Sequence, residues 1–280
     1  MLKIAGIQMA ARPDKQANVQ RALELSEFAI TEGAKIVLLG ELFSLPWFLD
    51  EFSAENYRYA EKIPGPSTRP FMAMAAKYKV TFICPVFEES DVAGIFYNTA
   101  VVIGDTGEIV GKYRKIHLPD MEGWREKKYF AKGDLGFPVF QTEWARFGIL
   151  MCWDNFFPEA ARILALSGAE IIFCPTTAAF DSHEIWQTVI TANAICNNCY
   201  SFRLNRTGME KGLSFYGKSF CASPYGELLF RPSTNTEGII IAEVVSYLQK
   251  SIRPEWSFIK DRAVEAYLPL MPPHLRPFWR

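Results

Sequence analysis

The chain has 280 residues, 49% of them hydrophobic, with 30 lysines and arginines against 31 aspartates and glutamates. That length is enough to bury a large core in one big domain or two small ones, and the near-neutral balance provides neither a basic stripe for nucleic acid nor an acidic docking tail. The six cysteines are too sparse and unpatterned for a disulfide framework, no apolar run reaches membrane-spanning length and no leader precedes the first strand, so a cytoplasmic protein that binds neither membrane nor nucleic acid is expected.

Residues 3–9 form the first apolar run of strand length. Asp14 then caps a helix that aligns Val19, Ala22, Leu23 and Ile30 on one face and stops at Gly33. Ile36–Leu39 are apolar without alternation, the pattern of a central strand buried on both faces, and Glu41 follows at its end. Pro64, Gly65 and Pro66 break the chain before a helix capped by Ser67 or Thr68 and running through Lys77. Residues 80–87, 97–103 and 109–113 read as strands, with a turn at 105–108; hairpins so close in sequence imply a mixed sheet. Residues 116–133 are charged and lack a period, which predicts a long functional loop. Residues 147–151 are a strand ending at Cys152, and Pro158 suits the first turn of the helix after it. A strand at 170–174, a helix from Ser182, and strands near 200–204, 219–223, 228–230 and 238–244 complete one continuous α/β domain without repeat or linker. The C-terminal stretch is rich in Pro, Arg and aromatics. Phe278 and Trp279 imply that it packs on a partner subunit, an expectation that a monomer in solution would defeat.

Residues 212–219 match the phosphate-loop pattern G-x-x-x-x-G-K-S. That motif needs a strand before it and a helix after it. Here residues 206–211 read as no strand, the next segment is strand then turn, and Phe215 and Tyr216 crowd the supposed cradle. A nucleotide site is therefore not expected. Cys196 and Cys199 make a lone C-x-x-C with no second ligand pair, and His117, His183 and His274 are scattered, so no metal is expected. Cys152 differs by position. It ends an apolar strand at a turn into a helix, where a thiol is presented at the sheet edge and the Trp153 backbone N–H can serve as an oxyanion donor. Glu41 and Lys115 also stand just past strands. Taken singly, each is an ordinary strand-end residue; together they place an acid, a cation and a thiol at three strand ends.

The segments Gly40-Glu41-Leu42-Phe43, residues 113–120, Cys152-Trp153-Asp154 with Phe157-Pro158-Glu159, residues 205–208, 216–219 and 224–226 carry a resemblance. The chain resembles the nitrilase superfamily of carbon–nitrogen hydrolases, in the branch around N-carbamoylputrescine amidases. The resemblance covers residues 1–265 as one hydrolase domain and leaves 266–280 as the tail. It implies a four-layer α-β-β-α sandwich with two mixed sheets, dimerising through a helix face into a homodimer or higher even-numbered homo-oligomer. It implies a catalytic Glu41, Lys115 and Cys152, a thioester intermediate, no cofactor and a small amide or carbamoyl substrate. A second glutamate near the lysine is Glu126 or Glu122; the Tyr129-Phe130 and Gly133-Asp134 flanks favour Glu126.

Phe43, Trp47, Phe48, Trp124, Phe156 and Phe180 are candidates for an aromatic pocket, with Glu122 and Asn155 beside them. Relatives that take carboxylate-bearing substrates carry an arginine just after the nucleophile motif; here Asn155 and Phe156 stand there, and Arg162 is the nearest downstream. The pair also departs from the Gln-Trp of close carbamoylputrescine amidases. A neutral or amine-bearing substrate is expected, first an N-carbamoyl amine such as N-carbamoylputrescine, then an aliphatic amide or ω-amide. Trp153-Asp154, where most nitrilases have Trp-Glu, makes a nitrile substrate the weaker alternative. A silent binding module or an acyltransferase to an amine is the reading from a different class. Product analysis with and without added amine separates transfer from hydrolysis.

Overall fold

A computed structural model describes residues 1–179, 182–245 and 248–272, with Lys250 described by its backbone alone. Phe180, Phe278 and Trp279 lie outside the described residues. In the first half, β1 (Leu2–Gln8), α1 (Lys15–Thr31), β2 (Ile36–Leu39), α2 (Arg69–Tyr78) and β3 (Thr81–Glu89) make two crossover units with parallel strands. β4 (Phe96–Ile103) and β5 (Ile109–Arg114) then fold back antiparallel. A short hairpin of β6 (Asp120–Met121) and β7 (Trp124–Arg125) interrupts the loop after β5. In the second half, β8 (Val139–Gln141) pairs antiparallel with β9 (Arg146–Ile149). The parallel β9, β10 (Ile171–Thr176) and β11 (Tyr200–Asn205) are joined by α3 (Pro158–Leu166) and α4 (His183–Asn197). β12 (Thr207–Glu210) and β13 (Leu213–Tyr216) form a hairpin before β14 (Phe220–Ala222). β15 (Gly238–Val244) returns to β1, and α5 (Leu248–Glu255) comes next. The two large sheets run β15-β1-β2-β3-β4-β5 and β14-β11-β10-β9-β8. The result is a mixed α/β fold with several sheets.

Local chemistry sets the elements. The Asp14 carboxylate accepts the Ala17 N–H at 2.7 Å and caps α1, and Gly33 (φ 95°) ends it. Three apolar clusters hold the layers. One joins inward side chains of both sheets, among them Ile4, Leu38, Ile83, Phe147, Phe173 and Phe202. The opposite face of the first sheet packs under α1 and α2 through Ala22, Leu25, Phe71 and Ala75. That of the second packs under α3 and α4 through Ala161, Leu164, Ile190 and Ala194.

Two expectations change. Residues 228–230 form no strand, only a bridge between Ala222 and Leu228. Residues 207–210 do form a strand, because the turn at Lys211 (φ 47°) and Gly212 (φ 80°) lets them pair with 213–216. A strand therefore does precede residues 212–219, but the next element after them is the strand β14, not the helix that a phosphate loop runs into.

Candidate active site

Three strand ends converge. Glu41 follows β2, Lys115 follows β5 and Cys152 follows β9, and all three are buried. The Lys115 ammonium donates to Glu41 Oε1 at 2.8 Å and to Glu126 Oε1 at 2.7 Å. Asn98, inside β4, donates to the same Glu41 oxygen at 3.0 Å. The second oxygen of each carboxylate, Oε2 of Glu41 and of Glu126, is buried without a partner among the described residues. Burial alone would lower the Lys115 pKa; the charges of Glu126 and Glu41 outweigh it and hold the group well above its ordinary value. Burial, reinforced by the Glu41 charge and opposed by Lys115, pushes the Glu126 carboxyl up to about 7. Burial first, then the Glu41 charge, also pushes the Cys152 thiol well up, against the pull of Lys115. Burial thus favours the thiol over the thiolate, and a sulfur so placed needs a base to take its proton before it can act as a nucleophile.

Cys152 has φ 45°, in the left-handed region that non-glycine residues seldom occupy. This turns the chain sharply from β9 into the short 3-10 turn Cys152–Phe156 and puts the thiol on the floor of a cavity of about 290 Å³. Its walls are mainly apolar and include Pro119, Trp124, Phe156, Ile185 and Trp186, with Trp153 beside the thiol.

The candidate residues separate in space. Glu126 opens a short 3-10 turn after β7 and meets Lys115, whereas Glu122 lies apart, in a groove lined by Asp50, Arg125 and Lys128. Trp124 and Phe156 line the cavity. Trp47 stands behind Trp124, its indole N–H bonded to the Gly123 carbonyl. Phe48 stacks on Phe87, and Phe43 packs edge-on against Phe71 beneath α2, so neither reaches the cavity wall. Asn155 is turned inward and donates to the carbonyls of Leu150 and Cys152, fixing the turn that carries Cys152. Arg162 is held among Cys196, Cys199, Arg262 and Tyr267 and does not line the cavity.

Several residues that position the site had no assigned role from sequence. Asn205 bonds both the N–H and the C=O of Ala178 and thereby fixes the loop that forms one cavity wall. The Arg206 guanidinium donates to the carbonyls of Glu41, Leu42 and Leu45 and grips the turn carrying Glu41. Gly133 passes so close to Arg114 that a Cβ there would lie 2.0 Å from the Arg114 carbonyl oxygen, and its N–H bonds the Lys115 carbonyl. Trp186 is a further indole in the cavity wall. The available signal for Asn98 was a polar Asn98-Thr99 pair inside an otherwise apolar strand.

The sequence pattern of the carbon-nitrogen hydrolase family matches residues 3–253. The chain belongs to the carbon–nitrogen hydrolase family. This hydrolase is 36% identical to an N-carbamoylputrescine amidase of Solanum lycopersicum, over 97% of this chain and 95% of that one. It is 38% identical to a nitrilase of Pyrococcus abyssi, over 95% and 99% of the two chains. Its fold superposes on the crystal structure of a carbon-nitrogen hydrolase from Helicobacter pylori G27 with a TM-score of 0.92, at 31% identity over 97% and 99%. The resemblance to the N-carbamoylputrescine amidase branch is borne out. Among the described residues no helix is long and apolar enough to cross a membrane.

Proposed function

We propose that this carbon–nitrogen hydrolase is a cysteine-dependent amidohydrolase whose substrate is an N-carbamoyl amine. The observation that carries the reading is the buried Lys115 shared by two carboxylates, each with one oxygen still unpartnered among the described residues, next to the Cys152 sulfur on a cavity floor. Glu41 takes the Cys152 proton, and the sulfur attacks the carbonyl carbon as its π electrons move to oxygen. Lys115 and the Trp153 N–H stabilise that oxygen. Collapse of the tetrahedral intermediate expels the leaving nitrogen with the proton from Glu41 and leaves an acyl-thioester. Glu41 then deprotonates a water that attacks the thioester, and the proton it receives returns to the departing sulfur. Glu126 holds Lys115 charged and positions the amide.

Substrate chemistry is set by the walls. A neutral ureido group fits the charged end, and a hydrocarbon chain fits the indole and phenyl faces, which also attract an amine cation through their π systems. No arginine lines the cavity among the described residues, which speaks against a substrate carboxylate. The name of the Solanum relative supports N-carbamoylputrescine as the first compound to try. The same reading includes a four-layer α-β-β-α arrangement, for which the three apolar clusters speak. It also includes pairing of two chains through a helix face on which Ile163 and Leu166 are exposed.

Ammonia release across carbamoyl amines, short amides, ω-amides and nitriles tests the substrate class, with the carbamoyl amines expected to give the highest kcat/KM. Cys152→Ala is expected to abolish turnover and to leave circular dichroism unchanged. A folded C152A enzyme with wild-type rates would sink the mechanism.

A further inference from the structure

Catalysis by Cys152 and Lys115 makes no use of the side chain two residues beyond the cysteine. Asp154 is fully buried, and an unpaired carboxylate there would cost several kcal/mol. It is saturated instead. Oδ2 accepts the Tyr113 hydroxyl at 2.7 Å and the Met151 N–H at 3.0 Å. Oδ1 accepts the His117 N–H at 2.9 Å and lies 2.8 Å from His117 Nδ1, which carries the proton in this pairing. The His117 ring in turn stacks on Phe157 at 3.6 Å and 7°.

These partners are placed symmetrically. Tyr113 and His117 flank Lys115 two residues to either side. Met151 immediately precedes Cys152, and Asp154 itself lies two residues after it. One carboxylate therefore joins the chain on both sides of the lysine, from the end of β5, to the chain on both sides of the nucleophile, from the end of β9. These two strands belong to different sheets. The bridge contributes to stability, since Tyr113 and Met151 are buried and solvent cannot meet their donors; it also fixes a spacing between two loops.

We propose that Asp154 is a positioning residue: its four-donor bridge sets the distance between the Lys115 ammonium and the Cys152 turn, and so the place where the oxyanion of the substrate is held. This rests on the Glu41-Lys115-Cys152 reading. None of the side chains of the bridge lines the cavity. Loss of the bridge acts on the transition state, where ammonium, Trp153 N–H and sulfur have to converge on one carbonyl, more than on binding of the substrate chain along the apolar walls.

The test is Asp154→Asn, which keeps size and turns one acceptor into a donor facing other donors. Per active site titrated by thiol alkylation, kcat is expected to fall about 100-fold with KM changed less than about threefold. Asp154→Glu, which restores the charge with a longer arm, is expected to recover part of that loss. If D154N does not fold, Tyr113→Phe removes one donor and is expected to lower kcat several-fold at constant KM. A titrated D154N or Y113F enzyme with unaltered kcat, or one whose loss appears equally in KM, overturns the proposal. The Cys152→Ala result separates the two claims: an inactive C152A beside a normal D154N removes the bridge and leaves the triad, whereas an active C152A removes the triad.

Discussion

Two buried acidic clusters draw on the same two strands, β4 and β5, and behave oppositely. Glu88 is saturated: Lys112 and Arg114 donate to one oxygen, Thr99 and Arg114 to the other, and no lone pair faces an empty space. Burial would raise its pKa, but the Arg114, Lys112 and Thr99 donors outweigh this and hold it below the ordinary carboxylate value. Glu41 and Glu126 are buried as deeply, share one lysine, and each keeps an oxygen without a donor among the described residues. The difference is the number of donors per acidic oxygen. A carboxylate whose oxygens are all occupied holds strands together; one left half-occupied next to a thiol can accept a proton.

The comparison breaks most readily at Glu41. Glu41→Gln keeps the Lys115 and Asn98 contacts within reach but removes the base, and kcat is expected to fall by about 10²- to 10⁴-fold. Ammonia release by a folded E41Q enzyme at near wild-type rate would mean that the half-empty carboxylate is not the base. Glu126→Gln is expected to lower kcat about 10- to 100-fold, since Lys115 keeps one of its two acidic partners.

Glu126 also has a stability signature. Its folded pKa is raised from 4.5 to about 7, so the folded state holds a proton that the unfolded state releases. The associated stability is present below pH 4.5 and is lost as pH rises through about 7. E126Q should flatten that decline in Tm between pH 4.5 and 7; an unchanged slope assigns the titration elsewhere. The smallest effect on turnover is expected for Glu88→Gln, within about twofold, with a stability loss of about 1–3 kcal/mol at neutral pH. Here the sign reverses. A lowered folded pKa gives stability that is present above the ordinary value of 4.5 and lost as pH falls through the folded pKa, so E88Q and wild type should converge in acid. A denaturant titration at two pH values reads this.

The strand ends were legible because an apolar run followed by a charged or thiol residue is a local pattern; Glu41, Lys115 and Cys152 all sit at such ends. The glutamate beside Lys115 was legible only as one of two, because residues 116–133 have no period and their path is decided by a short hairpin and a 3-10 turn. Phe43 and Phe156 look alike in sequence, yet one packs under a helix and the other lines the cavity; aromatic composition does not carry direction. Asn155 was a pocket candidate from sequence, but its short amide bonds nearby backbone carbonyls instead, the local competition for which asparagine is suited. The bridge at Asp154 was not legible at all. Two of its partners come from 37 and 41 residues away and meet it only when two sheets pack.

That two-sheet origin has a mechanical consequence. Glu41 and Lys115 hang from one sheet, and Cys152 hangs from the other. On the proposed mechanism Phe147, Phe173 and Phe202, which belong to the cluster joining the two sheets, act as spacers for a reaction that none of them touches. A small shear of one sheet over the other would change the distance between Lys115 and Cys152 together with the cavity that both sheets line. On that mechanism the interior of this enzyme is a ruler, and its tolerance to repacking is set by catalysis as well as by folding.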